Sequence, residues 1–245
     1  MKIKFSWMWI LFLPFVIATH FYKVLFFLFL LMSIHESFHI MAALYLGYKI
    51  ESVCIYPFGL SAQIECFEYR NSRDEIWITL CGLSVHIIAA FFLPFLCDIW
   101  SVSKVFSLYL IKTNLAILIF NLFPIYPLDG GRLLRNILEY FFSFKMAKLI
   151  SLLSTFILIP IFLYAFPFTQ IQRIVFAIFL MSQTILYLYQ FNSDVHLFYL
   201  YRYLYPIKRK IKIHDRHDLY KNKENYIFEK GKIVTEKEFL KKFID

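Results

Sequence analysis

Six apolar stretches dominate the chain: residues 5–19, 24–46, 76–97, 105–123, 149–166 and 173–190. Each is near the roughly 20 residues that a helix needs to cross a hydrocarbon core, the first and fifth being the shortest. Polar residues gather between the stretches. The pattern predicts an all-α polytopic membrane protein of about six transmembrane helices. Met1-Lys2-Ile3-Lys4 ahead of the first stretch looks like a leader, but no small-residue cleavage site follows, so the expectation is a retained first span. Lys112 interrupts the fourth stretch; either it snorkels to an interface or the span begins after it.

Two segments depart from helical spacing. Ile50 to Phe67 alternates partly on each side of Pro57-Phe58-Gly59, which predicts two short strands and a turn. An amphipathic interfacial segment is the competing reading. If strands form, their free edge offers a place for an extended peptide. From Pro206 onward the chain is polar and mixed in charge. Ile227 to Val234 reads as a hairpin, and Thr235 as the cap of a short helix, so the tail is a small α+β element.

Composition agrees with the pattern. A chain of 245 residues that is 60% hydrophobic cannot hide its apolar surface as a soluble domain. Half of the 26 basic residues lie after Phe191, which points to a cytoplasmic tail beside anionic lipid. No nucleic-acid fold pattern accompanies that charge, so no nucleic-acid partner is expected. Basic residues also mark the loops after spans 2 and 4 (Lys49, Arg70, Arg73; Arg132, Arg135, Lys145, Lys148), which places both termini on the cytoplasmic side. Cys54, Cys66, Cys81 and Cys97 form no C-x-x-C pair and read as apolar fillers.

The chemistry is concentrated in the second stretch, at Ile34-His35-Glu36-Ser37-Phe38-His39. On a helix, His35 and His39 lie one turn apart on one face, close enough to share a metal ion. Glu36 beside them can take a proton from a water that the metal has acidified. Ionisable groups are penalised inside membranes, so three within five residues call for a function. Gly82 in the third stretch allows close helix approach, and His86 either contacts the site or is a hydrogen-bonded core histidine.

The fourth stretch ends in Asn121-Leu122-Phe123-Pro124-Ile125-Tyr126-Pro127-Leu128-Asp129-Gly130-Gly131. The prolines stop the helix and the glycines let the chain turn. Broken backbone near a bilayer persists only when buried in protein or lining a wet cavity. Asp129 is either a third metal ligand or the cap of a helix starting near Gly130. As a ligand it would complete a three-residue zinc site with a fourth position left for water. Asn121 either fixes a substrate carbonyl or satisfies the broken helix end; Pro127 is a second candidate for substrate contact. A metal or proton transporter using the same ionisable groups is the alternative function, but no internal repeat supports it.

His35-Glu36-x-x-His39 together with Asn121-x-x-Pro124-x-x-Pro127-Leu128-Asp129-Gly130 resembles the site-2 protease family of intramembrane zinc metalloproteases. The resemblance covers nearly all of the membrane part. It implies a metalloendopeptidase with one zinc ion on His35, His39 and Asp129, and Glu36 as catalytic base. It implies a transmembrane protease domain over 1–203, with its catalytic core at about 24–145, and a cytosolic tail over 204–245. The span count and small tail are most similar to a branch that cleaves a sporulation sigma-factor precursor at the membrane around the forespore, under inhibitory membrane-protein partners. Tails in that branch resemble a nucleotide-sensing CBS module; here the tail is shorter than a full module, which argues against ATP binding.

Overall fold

The computed structural model describes residues 2–6, 9–10, 22–56, 59–65, 67–166, 169–207, 211–214, 218–229 and 231–244. Among the described residues, five helices are long and apolar enough to cross a membrane. The protein is a multi-pass, mostly helical membrane protein, with two small sheets among the described residues. It resolves into two compact units, one of Met1–Glu65 with Trp77–Asn121 and one of Cys66–Ile76 with Leu122–Asp245.

In the first unit, β1 (Lys2–Phe5) precedes α1 (Tyr22–Tyr45), the hairpin β2 (Ile50–Tyr56) and β3 (Gly59–Ile64), most of α3 (Ser72–Ile99) and α4 (Lys104–Leu122). The expected first span at 5–19 therefore begins differently. Phe5 ends a strand, and residues 7, 8 and 11–21 lie outside the described residues. β1 runs parallel to β2, pairing Lys2 with Ser52 and Phe5 with Ile55, while β2 and β3 are antiparallel. The two expected strands around Pro57-Phe58-Gly59 are thus present, and a third strand joins them. β3 lies at the edge of this sheet and packs on α1. Lys112 sits on an exposed face of a helix that already begins at Lys104, so the span does not start after it.

In the second unit, α2 (Phe67–Arg70) leads into the first turn of α3, whose Asp74 and Glu75 complement the positive end of the helix dipole. α5 (Asp129–Phe141) is short, and α6 (Phe144–Ala165) follows, its first turn capped by the Ser143 hydroxyl, which accepts from the Met146 N–H. α7 (Gln170–Leu204) is about 52 Å long at 1.5 Å per residue, well beyond a hydrocarbon core of about 30 Å. Its surplus turns carry Phe198, Tyr199 and Arg202 into the tail, made of β4 (Ile211–His214), β5 (Glu224–Glu229), β6 (Lys232–Thr235) and α8 (Glu236–Ile244). The predicted hairpin is β5–β6. Thr235 and Glu238 form a reciprocal cap on α8, the Glu238 N–H donating to the Thr235 hydroxyl and the Thr235 N–H to the Glu238 carboxylate.

The tail is packed tightly. Leu219, Ile227, Phe239 and Leu240 are buried with Phe144, Phe198 and Tyr199 in one apolar cluster. Burial of side chains of this size contributes about 1.5–3 kcal/mol each. Arg202 is 1% exposed. It donates to both carboxylate oxygens of Glu236 and to the main-chain carbonyls of Lys221 and Lys223.

Candidate metal centre

α1 presents His35 and His39 one turn apart, both buried, with Nε2 atoms 3.0 Å from each other and rings nearly perpendicular. Two ring nitrogens about 2.1 Å from one zinc at a tetrahedral angle lie about 3.4 Å apart, so the pair is already close to ligand spacing. Its tautomer is also set. His39 Nδ1 lies 2.8 Å from the Ile78 carbonyl oxygen. A carbonyl can only accept, so Nδ1 carries the hydrogen and Nε2 keeps its lone pair for a cation. The backbone of α3 can come this near because residue 82 is glycine. A Cβ there would sit 2.1–2.6 Å from the His39 ring atoms.

Glu36, between the histidines in sequence, is oriented by the sheet. The Ala62 N–H of β3 donates to its Oε1 at 2.8 Å. His86, fully buried on α3, meets both sequence readings. Its ring centroid is 4.9 Å from that of His35. Asn114 also holds it: Asn114 Nδ2 donates to the His86 carbonyl at 2.8 Å, and His86 Nδ1 lies 3.0 Å from Asn114 Oδ1. Asn114 on α4 is the partner that sequence reasoning missed; a polar residue at the centre of an apolar span was the available signal. Asn121 is buried in the last turn of α4.

In the second unit, Asp129 is the first residue of α5 and is buried. The helix does not start after it. Leu128 occupies the cap position and makes no side-chain capping bond, so Asp129 is not the N-cap. A carboxylate in the first helical turn is favoured by the dipole, and Arg132 one turn on approaches it at 3.9 Å. Gly130 and Gly131 do not form a turn, as the sequence had suggested; they are helical. A Cβ at Gly130 would lie 2.2–2.4 Å from Leu122 and Phe123 backbone atoms, and one at Gly131 2.5–2.6 Å from the Ile125–Tyr126 backbone. The glycines let the start of α5 press against the broken chain before it. Within that break the Tyr126–Pro127 peptide is cis, the Tyr126 N–H donates to the Thr155 hydroxyl, and the Tyr126 ring stacks on Tyr187.

The buried face of α5 is polar. Arg135 pairs with Glu75 at 2.8 Å and Glu68 at 3.0 Å, and approaches Glu139 at 3.7 Å. Burial alone would raise the Glu68 carboxyl. The charges of Arg135, Lys148 and Arg132 outweigh it and hold the group at about 2. Burial likewise opposes the charged form of Lys221, but Glu139 and Glu75 raise it above its ordinary value.

Within the first unit, His35 and His39 offer the nitrogen donors that a zinc ion takes, and within the second Asp129 is a buried carboxylate. The resemblance to the site-2 protease family is shown by sequence and by fold. The profile of Peptidase family M50 matches residues 97–162. Stage IV sporulation protein FB of Bacillus subtilis (strain 168) is 32% identical over 131 residues, 53% of this chain and 45% of that protein. Zinc metalloprotease MJ0392 of Methanocaldococcus jannaschii is 30% identical over 179 residues, 63% of this chain and 51% of that one. The chain therefore spans about half the length of these curated relatives. In fold it is similar to the solved site-2 protease from Methanocaldococcus jannaschii, with a TM-score of 0.55 and 26% identity over 74% of this chain and 88% of the other.

Proposed function

We propose that this protein is an intramembrane zinc metalloprotease that hydrolyses a peptide bond in or near the membrane segment of a membrane-associated protein. The observation that carries the reading is the His35–His39 pair at 3.0 Å, with the His39 tautomer tied by Ile78 and Glu36 oriented by Ala62. One zinc ion would be held by His35, His39 and Asp129, and when bound it would supply Lewis acidity and an acidified water. Glu36 acts as general base. Its Oε1 accepts from Ala62, which leaves Oε2 to take the proton of the attacking water and return it to the leaving amine. A helical substrate has its carbonyls tied in intrahelical bonds and must unwind first. The free edge of β3 is the proposed seat of the unwound piece. Asn121 and Pro127 are the proposed substrate contacts.

By similarity to a sporulation protein, the proposed substrate is a sporulation sigma-factor precursor, and both termini are taken to be cytoplasmic. The test is a Glu36→Gln variant, purified with its metal content intact, and assayed on a membrane-tethered substrate. Loss of cleavage by at least about a hundredfold is expected for a removed general base; cleavage at the unaltered rate would refute the chemistry.

A further inference from the structure

The polar cluster at the base of α5 carries an inference that rests on the proposed role of Asp129 as a ligand. No apolar side chain of α5 is fully buried. The residues it buries are Asp129, Gly130, Gly131, Arg135, Asn136 and Glu139. Its beginning is wedged against the chain at 122–126 by the two glycines. Its other end is fastened by charge, and part of that charge comes from the C-terminal tail. Lys221, wholly buried, pairs with Glu139 of α5 at 2.9 Å and with Glu75 of α3. Asn222 beside it donates to the Glu139 main-chain carbonyl at 3.3 Å and to the Ser72 hydroxyl at 2.9 Å, and Ser72 in turn donates to the Glu139 carboxylate. The loop that carries Lys221 is itself held by further hydrogen bonds. Arg202 grips the carbonyls of Lys221 and Lys223, and the Phe144 N–H donates to the Leu219 carbonyl.

We propose that Lys221 is a positioning residue: by locking the tail to Glu75 and Glu139 it fixes the placement of the helix whose first residue is Asp129. The physical reason is charge count. Glu75 and Glu139 both pair with Lys221 and lie against Arg135. Without Lys221, Glu75 and Glu139 lose the buried cation they share, and breaking one partner of a buried pair is strongly destabilising. Asp129 and Glu139 sit on one continuous short helix, about 15 Å apart along its axis. A helix freed at one end moves as a rod, so the displacement reaches its first residue.

The experiment uses the full chain in detergent and follows zinc release to a chromogenic chelator. Lys221→Met is expected to release zinc at least about tenfold faster, the usual scale for losing a residue that orients a metal ligand. It should lower kcat more than it raises KM, and Lys221→Arg should restore both. Should Lys221→Met fail to fold, Lys221→Met with Glu75→Gln keeps the net charge of the cluster and still removes the ion pair from the tail to α5; the same fast release is expected. A Leu180→Ala variant, which opens a cavity in α7, supplies a control for plain destabilisation. Release at the wild-type rate from the folded double variant overturns the inference, as does equally fast release from Leu180→Ala at a matched thermal midpoint. If Asp129→Asn releases zinc quickly while the Lys221 variants do not, this inference alone fails. If the wild-type protein binds no zinc, the metal-site reading fails with it.

Discussion

The main-chain N–H of Ala62 donates to Glu36 Oε1 at 2.8 Å, a link between a strand and a helix 26 residues apart in sequence. The donor lies on the edge strand of its sheet, where a missing N–H is tolerated by the ladder. Ala62→Pro removes that one donor. A hydrogen bond to a charged group is worth about 1.5–3 kcal/mol, so kcat should fall about tenfold or more. Zinc content should stay close to wild type, because no proposed metal ligand is touched. Steady-state kinetics with parallel metal analysis checks this; an unchanged kcat would show that Ala62 does not orient the base.

Gly82→Ala tests the packing that sets the His39 ring. The added Cβ meets ring atoms at 2.1–2.6 Å, so either the ring or α3 must shift. Overpacking of this kind costs about 1–3 kcal/mol, and the shift would also break the His39–Ile78 bond that fixes the tautomer. Zinc affinity should drop about 10- to 100-fold, as for other losses of ligand orientation. Competition against a chelator of known affinity measures it.

Glu68 gives a pH signature. Its carboxyl is held at about 2 in the folded protein, against an ordinary 4.5. A depressed folded value means the unfolded chain binds the proton more readily, so stability rises with pH across this range. The contribution is complete above about 4.5 and is lost as pH falls toward about 2. The thermal midpoint of the detergent-purified protein should therefore drop between pH 5 and pH 3, and Glu68→Gln should show a smaller drop from a lower starting value. Parallel pH profiles for the two proteins would remove Glu68 from the ion cluster.

The parts of this architecture written in local pattern were legible in the sequence. The four-residue spacing of His35 and His39 specifies one helix face, and the alternation around Pro57-Phe58-Gly59 specifies β2 and β3. The capping pair Thr235 and Glu238 is likewise a short-range signal. What escaped was non-local. Lys2–Phe5 reads as the charged head of a span because nothing nearby announces a parallel partner 50 residues on. Gly130 and Gly131 read as a turn, because close backbone approach leaves no mark on the sequence other than the absence of a side chain. Glu75 and Lys221 are separated by 146 residues, and nothing near either one in the sequence announces the other. Charge identity is local, but pairing is a property of the fold.

The central claim is that a carboxylate from α5 completes the ligand set begun by two histidines of α1. Zinc quantification by mass spectrometry on the purified protein and its Asp129→Asn variant tests it most directly. The account predicts about one zinc per wild-type chain, the stoichiometry of a single three-ligand site, and a large loss of zinc together with cleavage in the variant. Full zinc occupancy in Asp129→Asn would contradict it and leave Asp129 as no more than a favourably charged first residue of its helix.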